Sequence, residues 1–283
     1  MASAPDRPAG RSAGLRAVPV ATLARQHGLP LLQPARLRSA EAIGEIAALR
    51  PDLGVLADYG QIVPSALLDL AAHGMLNLHP SLLPRHRGAT PIPAAILAGD
   101  GRTGVSLFRM DAGLDSGPLI ASEGLSLSGS DSAPELEARL AVLAAGLLAR
   151  SIGPWLRAEL VAQPQPSAGM TLTRPLRRAD GRLDPGRPAA ELERQVRAYL
   201  DWPGSFLETA LGRLVIQHAS LGPQLDAHPG TVVATGAEGE ELALATTAGS
   251  LRLDEVQLAG GRRMTGPELC RGRPLIVGAL AER

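Results

Sequence analysis

Asn77 and His79 stand two residues apart in the run Gly74-Met75-Leu76-Asn77-Leu78-His79, which Pro80 brings to an end. The run reads as a short strand, and side chains at i and i+2 of a strand point to one face. An amide and an imidazole therefore aim at one spot, where strand gives way to loop. In open α/β sheets that end is where ligands bind. Farther along, Met110-Asp111-Ala112-Gly113-Leu114-Asp115-Ser116-Gly117-Pro118 has the glycines and acids of a tight loop, and Asp115 could bring a carboxylate to the same spot. A hydrogen-bond donor, a proton carrier and a carboxylate are the parts of acid–base and oxyanion chemistry. The plainer reading makes Asn77 and His79 structural strand residues and Asp115 a turn residue.

The elements that must hold these residues follow from pattern. Helices are expected at 41–49, 65–72 and 91–98, and short apolar strands at 52–59, 76–79, 103–110 and 119–125. Ser132-Ala133-Pro134-Glu135 is a capping box that opens a long Leu/Ala helix to about residue 151. Strands alternating with helices imply a parallel sheet covered by helices. Residues 161–176, richest in Pro, Gln and Ser at 163–169, read as a linker. After one more helix at 189–200 the pattern changes to short apolar runs at 212–219, 230–235, 241–247 and 250–257, separated by Gly, Pro and Asp. That is an all-β pattern and suggests a small barrel. The domain organisation expected is thus 1–160, a linker at 161–176, and 177–283.

Composition narrows the class. A chain of 283 residues, 45% hydrophobic and 20% charged, can bury a sizeable core. Only 2% of residues are aromatic, so Leu, Ala and Val must fill it. The sequence contains no Lys, and its formal net charge is zero, which argues against a globally basic nucleic-acid binder. Charge is uneven, however. Residues 1–38 carry six Arg against Asp6 alone, a local +5, and residues 174–188 carry five Arg against Asp180 and Asp184, a local +3. Such patches can bind RNA phosphates or simply face solvent. Cys270 is the single cysteine and the six histidines show no ligand spacing, so neither a disulfide nor a metal is expected. No apolar run reaches 18 residues and nothing at the start reads as a signal peptide, so no membrane association is expected and the protein is expected in the cytoplasm.

The motifs together resemble the folate-dependent formyltransferases. The resemblance rests on the Asn77-Leu78-His79 strand, the Ser81-Leu82-Leu83-Pro84 loop and the Leu114-Asp115-Ser116-Gly117 loop. Three further stretches are similar to the members that act on aminoacyl-tRNA: Pro5-Asp6-Arg7-Pro8-Ala9-Gly10-Arg11, Asp58-Tyr59-Gly60-Gln61-Ile62-Val63-Pro64, and Ala179-Asp180-Gly181-Arg182-Leu183-Asp184 with Trp202-Pro203-Gly204. The chain departs from those members at His86, where they carry Trp, and at Pro93, where they carry Gln. Their junction Tyr and Lys are not evident around residues 171–176.

The resemblance implies a Rossmann-like α/β formyltransferase domain followed by a small OB-like β-barrel domain that binds tRNA. It implies 10-formyltetrahydrofolate as formyl donor and the amino group of methionyl-initiator tRNA as acceptor, in a monomer without metal. In such a transfer Asn77 would donate to the oxyanion of the tetrahedral intermediate and His79 would donate to the same oxygen. Asp115 would hold the imidazole charged and relay protons. Ser81, Leu82, Leu83 and Pro84 would shape the folate pocket, with no covalent role for Ser81. Arg7 and Arg11 would contact the tRNA; Arg85 and Arg87 would bind the folate glutamate tail or an RNA phosphate, or pack the loop. In the family a strand, a helix and a second strand come before the Pro-Asp-Arg-Pro loop. Here that loop stands at residues 5–8, so about 30 residues, one such unit, are expected to be missing, by truncation or an upstream start. Another acceptor (a sugar amine, glycinamide ribonucleotide, or water in hydrolysis of the folate) and an inactive remnant are the competing readings.

Overall fold

The computed structural model describes residues 1–8, 15–236, 239 and 241–281. The chain forms two compact units, one of Met1–His79, Ser106–Ser122 and Ala145–Pro166, the other of Pro80–Val105, Glu123–Ala144 and Ser167–Arg283.

The first unit opens with a two-stranded ladder of β1 (Arg7–Pro8) and β2 (Leu15–Arg16), followed by α1 (Pro19–Gln26). In α2 (Ala40–Ala48) the Ser39 hydroxyl accepts the Ala42 N–H at 3.2 Å, so the sequence marks its own helix start. Then come β3 (Gly54–Leu56), α3 (Ser65–Leu68) and β4 (Met75–His79). Leu37, Val63 and Leu67 form a small core, with Ile43, Tyr59, Met75 and Met110 packed against it. Next in the chain are β5 (Arg87–Gly88) and α4 (Pro91–Ala98), which belong to the second unit, and then β6 (Arg102–Arg109), β7 (Leu119–Ser126) and α5 (Ala133–Leu156), each divided between the units.

Four of these strands make one sheet in the order β3-β4-β6-β7. β4 is an inner strand: Leu56 pairs with Asn77 in a parallel ladder, and His79 pairs with Ser106 in an antiparallel one. The all-parallel sheet expected from the strand–helix alternation is therefore mixed. The reason lies in the connection from β4 to β6: residues 80–101, α4 included, return the chain antiparallel beside β4 instead of carrying it across as a parallel crossover does. Leu76, Val105, Leu107 and Phe108 are fully buried, as the near-continuous apolar runs require of a covered inner strand.

α5 starts where the box was expected, with the Glu135 half of it in place. The Ser132 N–H and hydroxyl both donate to Glu135 Oε2, at 2.9 and 2.7 Å, and the Ser132 carbonyl accepts the Leu136 N–H at 3.0 Å. We expect Ser132→Ala to lower stability by about 1 kcal/mol. Urea denaturation measures this, and an unchanged midpoint would mean that water replaces the Ser132 contacts at no cost.

In the second unit β8 (Leu172–Thr173) pairs in parallel with β5, so the expected linker is in part a strand. α6 (Ala189–Ala198) buries Ala189, Leu192 and Val196, one face of a 3.6-residue period. β9 (Ser205–Thr209), β10 (Gly212–Gly222), β11 (Val232–Thr235), β12 (Glu241–Ala245), β13 (Ser250–Leu258) and β14 (Arg263–Thr265) form a six-stranded antiparallel sheet. The order is β11-β12-β13-β10-β9, with β14 also on β13. The sheet has the strands expected of the barrel, but among the described residues no β9–β11 ladder closes it. α7 (Gly266–Gly272) begins at a Thr265–Glu268 capping box. Leu192, Leu214, Ile216, Leu244, Leu253 and Leu269 belong to one apolar cluster, each side chain contributing on the order of 2 kcal/mol by leaving water. Among the described residues no helix is long and apolar enough to cross a membrane.

Candidate active site

Asn77 and His79 lie on β4 and are 8% and 4% exposed. Their two-residue spacing places them on one face of the strand. The carboxylate arrives from the loop between β6 and β7. That loop leaves β6 beside the start of β4, where the Met110 N–H donates to the Met75 carbonyl at 2.7 Å. Asp115 nevertheless ends with Oδ2 at 3.7 Å from His79 Nδ1, at the other end of β4. The loop must therefore run back along the strand, on the order of 10 Å. The structure thus brings the Asp115 carboxylate to the His79 imidazole, with Asn77 two residues back on the same face of β4.

What holds Asp115 there is a set of contacts within the loop and one from outside. Asp111 Oδ1 accepts the Gly113 N–H at 3.0 Å and the Ser116 hydroxyl at 2.9 Å. Asp115 itself has φ 48°, a left-handed conformation that Asp tolerates better than most residues. Gly117 has no room for a side chain: a Cβ would lie 1.8 Å from the Arg109 carbonyl oxygen. Gln165 then clamps the loop, its Nε2 donating to the carbonyls of Asp115 and Gly117, each at 2.8 Å. Next to it, Leu119 and Gln163 exchange two backbone hydrogen bonds at 2.7 Å.

Gln165 was invisible to the sequence reading, because it lies in the Pro-rich stretch read as linker. The available signal was its type: an amide with two donors can satisfy two loop carbonyls at once.

Residues 81–84 form the turn that follows β4. The Ser81 hydroxyl donates to the Arg85 carbonyl at 2.6 Å, and the Arg85 N–H to the Leu82 carbonyl at 3.1 Å. The Ser81 hydroxyl is thereby occupied in shaping its own loop. Arg85 is a paired cation here, its Nε and Nη2 on Asp100 at 2.9 and 2.5 Å. Burial alone would raise the Asp100 pKa, but hydrogen bonds and charge from Arg85 and His86 outweigh it and hold the carboxyl below its ordinary value. Burial pushes the Tyr59 phenol up, within the 58–64 segment. That segment borders a cleft of about 310 Å³ lined by Arg36, Arg38, Gln61 and Ile62. Arg11 lies outside the described residues, and of Arg7 only the backbone is described, paired with Arg16.

With this geometry in place, comparison with known proteins is decisive. The profile of the Formyl transferase family matches residues 1–152, and that of the formyl transferase C-terminal domain matches residues 175–274. This chain belongs to the formyl transferase family. A methionyl-tRNA formyltransferase from Myxococcus xanthus is 42% identical over 275 residues, covering 97% of this chain and 87% of the relative. Among solved structures, the N-formyltransferase from Helicobacter canadensis in complex with folinic acid and dTDP-3-aminofucose superposes with a TM-score of 0.62 at 15% identity, over 82% of this chain and 81% of that one. HypX from Aquifex aeolicus in complex with tetrahydrofolic acid gives 0.60 at 18% identity, over 81% of this chain and 40% of that one. At such identity these two structures establish the shared formyltransferase fold.

Proposed function

We propose that this formyltransferase moves the formyl group of 10-formyltetrahydrofolate to the free amino group of methionyl-initiator tRNA, as translation begins. The observation that carries the reading is the 42% identity to a methionyl-tRNA formyltransferase along 97% of the chain, the C-terminal domain included.

The chemistry fits the three converging side chains. The amine nitrogen attacks the formyl carbon, the carbonyl oxygen becomes an oxyanion, and the bond from carbon to folate N10 then breaks. The amine gives up one proton and N10 gains one, so the reaction is balanced without any further reactant. Asn77 donates an amide N–H to the oxyanion, and His79, when protonated, donates to the same oxygen. Such donors stabilise charge most where water is excluded, and both residues are buried. Asp115, at 3.7 Å, favours the charged imidazole and passes protons between amine and N10 through water. Ser81, Leu82, Leu83 and Pro84 shape the folate pocket.

In this reading residues 1–160 are catalytic, 161–176 a linker, and 177–283 a tRNA-binding domain, in a cytoplasmic monomer. Arg7 and Arg11 touch the acceptor end of the tRNA. The test offers the protein 10-formyltetrahydrofolate with methionyl-initiator tRNA, a nucleotide-linked amino sugar, glycinamide ribonucleotide, or water alone. Formylation of the aminoacyl-tRNA well above the other acceptors is expected, and preference for any other acceptor overturns the proposal. Changing Arg7 and Arg11 together to Ala should flatten the salt dependence of tRNA binding by about one unit of slope per lost phosphate contact.

A further inference from the structure

Loop 81–88 is held at one end by a carboxylate that the catalytic chemistry does not use. Asp100 directly follows Gly99, which ends α4 in a left-handed conformation at φ 67°. A negative charge at that point faces the negative end of the helix dipole and is unfavourable on its own. It is balanced by the loop. Asp100 takes Arg85 on both oxygens, at 2.9 and 2.5 Å, and its Oδ2 lies 2.7 Å from His86 Nε2.

His86 is 6% exposed and has φ 58°, a strained conformation for a residue with a side chain. Such a conformation persists only where its surroundings over-determine it, and here they do. The His86 N–H donates to Thr171 Oγ1 at 2.8 Å, and the same oxygen is 3.4 Å from Nδ1. The carboxylate requires a hydrogen on Nε2, which leaves Nδ1 of a neutral ring to accept from the Thr171 hydroxyl. Beyond His86, the Arg87 N–H reaches the Thr171 carbonyl at 2.9 Å, and Thr173 Oγ1 donates to the Arg87 carbonyl at 3.0 Å. On the other side, the Arg85 backbone ties to Ser81 and Leu82, as described above. One carboxylate fixed to the end of a helix thus orients two neighbouring side chains, and through them the turn at 81–84. The Arg85 partner is half exposed, and ion pairs of that kind add little to stability. What the contact supplies is orientation.

We propose that Asp100 is a positioning residue, acting through Arg85 and His86 to hold the turn 81–84 in the conformation that accepts the folate. This rests on the assignment of residues 81–84 to the folate pocket under Proposed function.

The test uses the full chain and three variants: Asp100→Asn, His86→Ala and His86→Gln, the last keeping an N–H donor for Asp100. Tetrahydrofolate binding is measured by calorimetry, and KM for each substrate and kcat by formylation of methionyl-tRNA. For Asp100→Asn and His86→Ala we expect the tetrahydrofolate Kd and the formyl-donor KM to rise about tenfold, with kcat within about twofold and the KM for the aminoacyl-tRNA unchanged. His86→Gln should recover most of the folate affinity. Thermal melting of each variant separates orientation from fold. A large fall in Tm with parental folate affinity overturns the proposal, as does an Asp100→Asn chain that binds folate like the parent. A loss confined to kcat also overturns it. If the parent chain itself binds no tetrahydrofolate, the functional reading fails first, and that result is distinct from the other three.

Discussion

Replacing Asn77, His79 or Asp115 by Ala in turn should lower kcat for formyl transfer by about 10²–10³ each while the chain stays folded. The magnitude follows from what each removes. In the proposed mechanism the oxyanion loses a donor without Asn77, a residue that is itself 8% exposed. In the same mechanism, removal of His79 takes away the second donor, and truncation of Asp115 removes the carboxylate 3.7 Å from the imidazole. Because the three act on one developing charge, their losses should not add, and a double variant should be little worse than the poorer single one. Single-turnover rates at saturating folate and tRNA measure the chemical step directly. Three variants turning over near the parent rate would remove β4 and its loop from the chemistry.

Gly117→Ala should be nearly as damaging, although it deletes no functional group. The added Cβ would fall 1.8 Å from the Arg109 carbonyl oxygen, which is backbone and cannot swing aside. Loop and strand must separate by about 1 Å, a displacement that can cost on the order of 10²-fold when it moves a reacting group. Asp115 lies two residues away and would move with the loop, lengthening a contact to His79 that is already 3.7 Å. We therefore expect kcat to fall by about 10² with substrate KM values little changed. Parental kcat in this variant would mean that the position of the carboxylate is not set by the packing of Gly117.

Much of this site could be read from the sequence because strand geometry is regular. A spacing of two residues fixes a shared face whatever the tertiary context, so Asn77 and His79 were readable together. Helix boundaries signalled by Pro91 or by Ser132 and Glu135 fell close to where they were expected, because the caps are local chemistry. The strand direction of β6 was not readable in the same way. Antiparallel pairing with β4 depended on how residues 80–101 return the chain, and alternation of strands with helices pointed to a parallel sheet. β9 was missed because Ser205–Thr209 is only five residues long; it is strand through its two-residue turn into β10 and their ladder. Gln165 and Asp100 were missed for a third reason. Their partners lie 48 to 50 and 14 to 15 residues away, and no local pattern encodes such contacts.

The Gln165 clamp also bears on the order in which the molecule is made. Asp115 leaves the ribosome about 50 residues before the amide that fixes its carbonyl, at the usual few to twenty residues per second. A nascent chain that ends before residue 165 carries Asn77, His79 and Asp115 but lacks the tether that places the last of them. The residues proposed to react are thus made before the amide that restrains one of them. The position of Asp115 should be fixed as a step, when the stretch after α5 emerges and closes onto the loop.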